Sequence, residues 1–485
     1  MFVPYHPPRS EHTEAPGGPG LEQVFARADD FQRRTLHLPG GGEAALYWLE
    51  GMVRTERLND YVLRPLATLS LGDDPVTAAL EGGIWAGTVL RPATLQEAAD
   101  GLTDGGCAVA LAGALLLVPV PTEEKRGVEM PEDEPTVKGA NDAFVEAIRT
   151  NTSLVRRRLK TCRLAVASST VGRESRTTVD VLWVEGLTNP ALAQSVLERV
   201  QGLDVDALLA AEPLAGAITD THSTMFPTFV STQRPDRFCQ GLMNGMVGVF
   251  CDGIAQGLLL PGTVSMFLRT PADQNNQWLV ARLLAGVRYL CLGVSLLLPA
   301  LYIAAAAFHF GLMPAAMAES ISASRQSVPI SPPLEVLLLL LAFEILQEAG
   351  SRMPRFTGQN VSIIGSLVVG QAAVTAKLFS PVVVVVVSAA GIAGYTLPNN
   401  DLANALRAVR FALSVLSALA GVFGIALGLA WLCLHLAQVE GLGVSWLAPF
   451  APDAEKGPSA ATRVPVRRAK LREVFLHPRE VRNQR

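Results

Sequence analysis

Three carboxylates stand out because they lie within or at the end of a run of leucine and valine. The stretch LEVLLLLLAFEILQE covers residues 334–348 and contains Glu335, Glu344 and Glu348. On a helix, Glu344 and Glu348 are about 40° apart, whereas Glu335 lies nearly opposite Glu344. A charge at the centre of a bilayer costs at least ~2.5 kcal/mol, so such groups face water or a partner. Repeated around a symmetric oligomer, they would form an acidic ring that favours cations.

Each carboxylate also has a purely structural interpretation. Glu348 precedes Arg352 by four residues, which is the spacing of a helical ion pair. Glu335 would lie in the first turn of the helix, where a negative charge is stabilising, so its presence requires no further role. Gln371 and Lys377, in the next apolar segment, complete the set of candidate pore or gating residues. Lys377 also fits an interfacial residue whose amine reaches the headgroups.

A short basic cluster is the second candidate for chemistry. Arg156, Arg157 and Arg158 follow a stripe of apolar residues with helical spacing within residues 139–164. A solvated helix face is one interpretation of this cluster. Contact between the head of the protein and anionic headgroups, or an acidic neighbouring subunit, is the other.

The composition favours a membrane protein and gives no sign of an enzyme. The chain has 485 residues, of which 49% are hydrophobic and 17% charged, against about 25% charged in soluble domains. A net charge of −4 argues against nucleic-acid binding. The six cysteines are scattered, without zinc or disulfide spacing. No nucleophile, metal or nucleotide motif is recognisable, so we expect no cofactor and no catalysis.

The distribution of apolar residues predicts an α/β cytoplasmic head, made of two similar subdomains, followed by an α-helical polytopic membrane domain. The expected divisions are a disordered segment at 1–35, a first α/β subdomain at 36–120, a linker at 121–138, a second subdomain at 139–275, a helical membrane domain at 276–438 and a basic cytoplasmic tail at 439–485.

The two subdomains are predicted from a repeated pattern. A Trp-apolar-Glu-Gly step ends at Gly51 and again at Gly186, each time between an apolar strand and an amphipathic helix. Each pattern is followed by a predicted β-hairpin, with its turn at Gly113 in the first copy and at Gly253 in the second. Repetition of both features in the same order indicates a duplicated α/β unit.

The membrane half contains clear spans and one ambiguity. Long apolar runs cover residues 289–308 and 411–436, and a broken apolar pair covers 361–398. Arginines before the first span and many cations after the last place both ends in the cytoplasm, which requires an even number of crossings. We favour four, although Arg407 and Arg410 would then lie on the outer side.

Several longer runs resemble one family. They include GANDAFVEAIRTNTSLVRRRLK at 139–160, STQRPDR at 231–237, FEILQEAGSRMPR at 343–355 and VSIIGSLVVGQAAV at 361–374. In sequence and order they resemble the A subunit of the GerA family of spore germination receptors, and the related SpoVAF-type proteins. The resemblance covers roughly residues 40–452.

This resemblance implies a function and partners. It implies a multi-pass protein of the inner membrane of the spore, in contact with membrane lipid, with both termini cytoplasmic. It further implies a homo-oligomer, a pentamer, that conducts monovalent cations and works with a transporter-like B subunit and a lipoprotein C subunit. The residues alone also admit a secondary transporter, or a membrane-anchored scaffold for germination proteins.

Overall fold

The structure is a computed structural model that describes most of the chain. The described residues are 17–39, 42–69, 75–122, 134, 139–219, 224–351, 371–372, 374–451 and 472–482. They form two compact units. The first comprises Met1–His222, Phe229–Pro261 and Val466–Arg485, and the second comprises Ser223–Thr228 and Gly262–Pro465.

The first unit begins with a four-stranded antiparallel sheet of order β1-β2-β3-β4. Helices α2 and α3 cover one face of this sheet, and α1 and α5 cover the other, so β3 and β4 are buried on both sides. The elements are α1 (Gly18–Val24), β1 (Phe31–His37), β2 (Glu43–Leu49), α2 (Thr55–Leu58), a π-helical turn (Asn59–Leu63), α3 (Arg64–Thr68), α4 (Pro75–Ala78), a second π-helical turn (Ala79–Gly83), α5 (Leu95–Thr103), β3 (Gly106–Leu111) and β4 (Ala114–Pro119).

A five-stranded antiparallel sheet of order β5-β6-β8-β9-β7 follows. Its core includes the rings of Phe144, Phe238 and Phe250, which pack against one another with centroids 4.5 to 5.4 Å apart. The elements are α6 (Ile148–Arg158), β5 (Leu164–Val171), β6 (Thr177–Val184), α7 (Pro190–Gln201), α8 (Ala211–Ile218), β7 (Val230–Thr232), α9 (Pro235–Asn244), β8 (Val247–Cys251) and β9 (Gly257–Leu260).

The repeated local pattern is present in both sheets. Gly51 and Gly186 follow β2 and β6 with φ angles of 77° and 71°, a left-handed conformation that glycine adopts without a Cβ clash. The strands β3–β4 and β8–β9 pair as hairpins, with Gly113 and Gly253 in their turns. The predicted strand–turn–helix steps and both hairpins are therefore confirmed.

The N-terminal segment differs from the expectation of disorder over residues 1–35. Among its described residues, helix α1 and most of strand β1 are ordered elements. The reason is apolar burial: Leu21 is 0% and Phe25 is 2% exposed, and both pack in the core beneath α5.

The second unit is mainly helical. Two of its described helices, Trp278–Ala307 and Asn400–Gln438, are long and apolar enough to cross a membrane by length and composition. The elements are α10 (Val264–Phe267), α11 (Ala272–Asn275), α12 (Trp278–Ala307), a 3₁₀ turn (Phe310–Leu312), α13 (Ala315–Arg325), α14 (Pro332–Ser351), α15 (Pro381–Tyr395), α16 (Asn400–Gln438), β10 (Glu440–Gly441) and β11 (Val444–Ser445). A final 3₁₀ turn (Val474–Leu476) belongs to the first unit.

Helix α16 is interrupted at Gly421, whose φ of 59° and ψ of −137° are not helical. A Cβ at Gly428 would lie 2.4 Å from Leu413 Cδ2, and one at Gly424 would lie 2.1 Å from the backbone oxygen of Leu416. Residues 15 apart on a straight helix are separated by about 22 Å. The chain therefore turns back at Gly421 and forms a helical hairpin, which differs from the one continuous helix expected for a span at 411–436.

Contacts between helices define their directions within this unit. Ser417 Oγ donates a hydrogen bond to the Ala300 carbonyl (2.7 Å), and Gly421 lies against Phe308, so the first arm of the hairpin runs parallel to α12. Gly394 lies against Ser295, whereas Val383 packs near Tyr302, so α15 runs the opposite way. The second arm of the hairpin also runs opposite to α12.

Trp446 joins three separate stretches at one end of the helical unit. Its ring nitrogen donates to the Pro227 carbonyl (2.7 Å), and its backbone oxygen accepts from Val264 N (2.9 Å). Its ring packs with Phe226 and Phe267. We call residues 224–228, 262–267 and 439–451 the collar. Part of the segment predicted to be a tail is thus folded.

Candidate functional site

Helix α14 positions the three carboxylates of the apolar run. Helix α14 covers Pro332–Ser351 and so includes the whole apolar run. Glu335 is fully buried, and its Oε1 accepts a hydrogen bond from the backbone N–H of Ser380. Ser380 is the N-cap residue of α15, so Glu335 satisfies a donor at the start of a neighbouring helix. The second oxygen, Oε2, lies 3.6 Å from Arg325 Nε.

Glu344 forms the second charged contact, with two arginines of α16. Its Oε1 binds Arg410 Nη2, and its Oε2 lies 3.4 Å from Arg407 Nη1. The Arg410 side chain is 3% exposed, whereas the Glu344 side chain is 29% exposed. Two guanidinium groups against one carboxylate leave this cluster with one excess positive charge.

The other candidate pore residues are on the surface of the single chain. Glu348, Gln371 and Lys377 are all exposed. Lys377 has a φ of 57°, in the left-handed region, at the end of a helical turn. Arg352, the expected partner of Glu348, lies outside the described residues. The structure therefore does not bring the three carboxylates of α14 together.

Buried polar atoms of this unit that lack a hydrogen-bond partner among the described residues include Arg325 Nε, Glu335 Oε2 and Gln347 Oε1. The first two atoms lie 3.6 Å apart, and the Tyr302 hydroxyl lies near both residues and near Ser380. Charged and polar groups thus occupy the interior of an otherwise apolar helical unit.

The three arginines of the basic cluster in the first unit do not lie together on one surface. Arg156 is 1% exposed and forms two contacts with Asp30, including Nη2 to Oδ1 at 2.5 Å. The expectation that Arg156 contacts headgroups or a neighbouring subunit is therefore corrected. Its position explains the burial, since Arg156 lies on the same face of α6 as the buried Ile148, Thr152 and Val155.

The other two arginines of the cluster face elsewhere. Arg158 Nη2 lies 2.6 Å from Asp142 Oδ1, so its charge is matched locally. Arg157 lines a surface pocket of about 310 Å³ together with Lys160, whose amine lies 2.7 Å from Asp104 Oδ1. The three arginines consequently have three different environments.

A polar network in the first unit was not anticipated. Asp180, on β6, accepts hydrogen bonds from Ser168 Oγ (2.6 Å), Arg149 Nη1 (2.9 Å) and Thr152 Oγ1 (3.1 Å). Burial raises the pKa of the Asp180 carboxyl, while these hydrogen bonds and the Arg149 charge act in the opposite direction. The network links α6 to two strands, and its partners are too far apart in the sequence for a local pattern to indicate them.

The described residues contain no group of three or more His, Cys, Asp or Glu side chains that could hold a metal ion. The arginines that pair with α14 have recognisable positions in the sequence. Arg407 and Arg410 lie just before an apolar run, and Arg325 ends a short helix before a proline cluster. Cations so close to a buried carboxylate helix are candidates for its partners.

Comparison with known protein families identifies the family to which the chain belongs. A family model described as Bacillus/Clostridium GerA spore germination protein matches residues 20–475. The chain belongs to the GerA family. The match covers both units, so the charged contacts of α14 lie within the GerA region.

Individual GerA relatives are similar over most of the chain. The uncharacterized membrane protein YfkQ of Bacillus subtilis (strain 168) is 33% identical over 84% of this chain and 80% of its own length. Spore germination protein GerQA of Bacillus cereus is 35% identical over 70% of this chain and 68% of its own length. Spore germination protein B1 of Bacillus subtilis is 28% identical over 96% and 95%.

One solved structure is similar to part of the chain. It is the crystal structure of the N-terminal domain of the A subunit of the Bacillus megaterium spore germinant receptor GerK3. The match has 23% identity and a TM-score of 0.40, and covers 51% of this chain and 96% of that chain.

Proposed function

We propose that this GerA-family chain is the membrane subunit of a nutrient germinant receptor, and that several copies form a ligand-controlled cation channel that triggers spore germination. The family match and relatives named as spore germination proteins support the role in germination. The observation that carries the channel proposal is the set of charged side chains inside the helical unit, because such groups in a bilayer mark ion paths or the contacts that control them.

The direction of the helices supports a multi-pass arrangement. Arg282 near the start of α12 places that end on the cytoplasmic side by the positive-inside rule. The first arm of α16 is parallel to α12, so Arg407 and Arg410 then lie toward the cytoplasm as well. The second arm returns to the same side. With this hairpin, Arg407, Arg410 and the C-terminal end of the second arm all lie on the same side of the membrane. This arrangement supports a cytoplasmic C-terminus in the inner membrane of the spore.

The contacts suggest different roles for the three carboxylates. Glu335 and Glu344 pair with arginines of their own chain, and Glu335 is fully buried. Glu348 is exposed on the single chain, and this exposure would allow it to face a hydrated path between copies. The Glu344–Arg410 contact joins α14 to α16, and a change in this contact would couple movement of the two helices to opening.

Control by nutrient requires partners. A transporter-like B subunit that binds the nutrient, together with a lipoprotein C subunit, would shift the closed–open equilibrium of this chain. Such a shift requires that the nutrient-bound partner binds the open state more tightly than the closed state. Gln371 and Lys377 are exposed near the start of α15, where a partner or a second copy could contact them.

Flux measurements in liposomes test the proposal. Reconstituted chain should pass monovalent cations in preference to anions, and Glu348→Gln should reduce that preference several-fold, because one carboxylate per copy is lost from the ring. Glu319→Gln, which changes an exposed glutamate on α13, is the matched control and should leave the preference unchanged.

Two outcomes would favour the other functions. Saturable uptake of a solute by this chain alone would indicate a secondary transporter. Absence of any flux, with germination still requiring the chain, would indicate a membrane-anchored scaffold for germination proteins. Flux that is insensitive to Glu348→Gln would remove Glu348 from the path.

A further inference from the structure

Arg407 is the member of the Glu344 cluster whose hydrogen-bond donors are only partly used. Its Nη2 donates to the side-chain oxygen of Asn404, and its Nη1 lies 3.4 Å from Glu344 Oε2. A guanidinium group carries five N–H donors, so three of them have no partner among the described residues. The Arg407 side chain is 28% exposed, against 3% for Arg410. Arg407 therefore has room for a further acceptor while it stays beside Glu344.

The charge of this cluster favours an anion as the further acceptor. Arg407 and Arg410 carry two positive charges, and Glu344 supplies one negative charge. Among the described carboxylates, Glu344 alone pairs with Arg407. Asn404 is exposed, and its amide nitrogen offers two more donors next to the guanidinium. Such donors around one excess positive charge suit a phosphate group, which arginine binds through two parallel hydrogen bonds.

The position of Arg407 places it near the headgroups of one leaflet. Gly421 forms the turn of the α16 hairpin on the non-cytoplasmic side, and Arg407 precedes it by about 21 Å of helix. The hydrocarbon core is about 30 Å thick, so the backbone of Arg407 lies about 9 Å inside the cytoplasmic boundary. The side chain points toward that boundary, because it bonds Asn404, one turn nearer the cytoplasm. Long basic side chains extend to the headgroups in this way.

Exposed apolar side chains lie deeper in the membrane than the cluster. Phe411 is 37% exposed and one turn beyond Arg407 on α16. Helix α14 runs toward the cytoplasm, since Glu335 near its start meets the first residues of α15, so Leu341 is also deeper than Glu344. Leu341 is 49% exposed. A ligand with its charge at Arg407 and its hydrocarbon over these two side chains is a phospholipid.

We propose that Arg407 and Asn404 bind the phosphate of an anionic phospholipid in the cytoplasmic leaflet. Basic sites between helices on this side of a membrane bind anionic headgroups. The negative charge of such a lipid balances the excess positive charge of the cluster, whereas a zwitterionic lipid also brings a cation. Arg410 keeps its contact with Glu344. This inference rests on the multi-pass arrangement of the proposed function and adds a lipid at the contact between α14 and α16.

Native mass spectrometry of the full chain in an uncharged detergent tests the site. Phosphatidylglycerol is the anionic probe, and phosphatidylcholine is the zwitterionic comparison. The wild-type chain should bind phosphatidylglycerol about ten-fold more tightly. Arg407→Gln should lower the affinity for phosphatidylglycerol about ten-fold and remove this preference, because charge-assisted hydrogen bonds are lost. Arg407→Lys should retain part of the preference, because an amine keeps the charge but lacks the planar fork.

Arg282→Gln is the matched control for charge. Arg282 is exposed near the cytoplasmic end of α12, where it stacks over Trp278. Its loss removes the same charge from the same side of the membrane, but it should leave the affinity for phosphatidylglycerol unchanged. Equal losses in Arg407→Gln and Arg282→Gln would overturn the site, because general attraction between charges would then explain the binding. A wild-type chain that binds both lipids equally would also overturn it.

A second variant keeps the test decisive if Arg407→Gln does not fold. Asn404→Leu changes an exposed side chain and leaves the contact between Arg407 and Glu344 in place. It should fold like the wild-type chain and bind phosphatidylglycerol several-fold more weakly. Thermal unfolding without added lipid checks the fold of each variant. Wild-type affinity in every folded variant of Arg407 and Asn404 would overturn the site.

Two further measurements identify the ligand and separate this inference from the channel proposal. Inorganic phosphate in large excess should not displace phosphatidylglycerol, and displacement would overturn a lipid in favour of a soluble anion. Cation flux by a chain that shows no preference for phosphatidylglycerol would overturn the site and leave the channel standing. A preference that Arg407→Gln removes, in a chain without flux, would support the site and count against the channel.

Discussion

Buried arginines that pair with carboxylates place charge in the interior of both units. Arg156 binds Asp30 in the first unit, and Arg410 binds Glu344 in the second, and both arginines are at most 3% exposed. Removing one member of such a pair leaves an uncompensated buried charge, which costs about 3–5 kcal/mol. Exposed ion pairs contribute about 0–1 kcal/mol. Burial thus separates the structural pairs from the many ion pairs on the surface.

Asp30→Asn is expected to lower the apparent free energy of unfolding by about 3 kcal/mol, because Arg156 would remain buried without its counter-charge. Chemical denaturation of the full chain in detergent measures this. Asp204→Asn is the control, because the Arg173–Asp204 pair is 66% and 70% exposed, and a change below about 1 kcal/mol is expected. Equal losses in the two variants would contradict the assignment.

The raised pKa of Asp180 predicts a pH dependence. A carboxyl whose pKa is higher in the folded state stabilises the fold while protonated, and that contribution is lost as the pH rises through the raised value. Asp180→Asn cannot titrate. Wild-type protein should therefore lose stability relative to this variant from about pH 4, near the ordinary pKa of aspartate, upward. A difference in unfolding free energy that stays constant between about pH 3.5 and 7 would contradict this.

At this scale the sequence predicted part of the site. Glu335 and Glu344 were recognisable as unusual, because acids are costly in apolar helices. Their partners were not recognisable, since Arg410 is 66 residues from Glu344 and Arg156 is 126 residues from Asp30. Such pairs depend on how helices and strands meet, and no local spacing indicates them.

At the scale of elements, α16 departs most from what its sequence suggests. Uninterrupted apolar residues from 411 to 436 are typical of one long span. The conformation of Gly421 and the tight approach of Gly424 and Gly428 to the preceding arm instead produce two antiparallel arms. The strands and hairpins of the first unit were predictable, because turn glycines and apolar runs are local signals. A reversal within an apolar run has no comparable signal.

The hairpin predicts where Val422 lies. In a single span from 411 to 436, Val422 would be near the middle of the bilayer and protected from both sides. In the hairpin it follows the turn and should lie at the membrane surface on the non-cytoplasmic side. Val422→Cys, in a chain lacking Cys291 and Cys433, should react with an impermeant maleimide added outside intact cells or right-side-out vesicles.

Leu427→Cys provides the comparison, because Leu427 is 53% exposed but lies within the second arm. It should label at least ten-fold more slowly than Val422→Cys, as a residue surrounded by acyl chains. Equal protection of both positions would favour the single span.

At the scale of the whole molecule, Trp446 connects parts of the chain that are far apart in sequence. Its collar includes the residues that precede β7 and those that follow β9. These two strands pair with each other in the second sheet. Trp446 thus holds together two segments of the collar that are far apart in the sequence.

Trp446→Ala is expected to destabilise the full chain by about 3–5 kcal/mol, as a large buried aromatic is lost. Trp446→Phe keeps the ring contacts and loses the hydrogen bond to Pro227, so a loss of about 1 kcal/mol is expected. Trp431→Ala, at a position 63% exposed, should cost less than Trp446→Ala. Denaturation in detergent ranks the three variants, and a Phe variant as unstable as the Ala variant would contradict the role of the ring.

The return of residues 472–482 to the first unit affects how the protein is made. Arg472 Nε donates to the Met243 carbonyl (2.9 Å), and Arg479 N donates to the Leu187 carbonyl (2.9 Å). These residues leave the ribosome only after every helix of the second unit has been synthesised. The first unit therefore cannot be completed until the apolar helices of the second unit have been synthesised. A stop codon shortly before position 472 would leave the first unit without these residues, although the rest of that unit would have been translated.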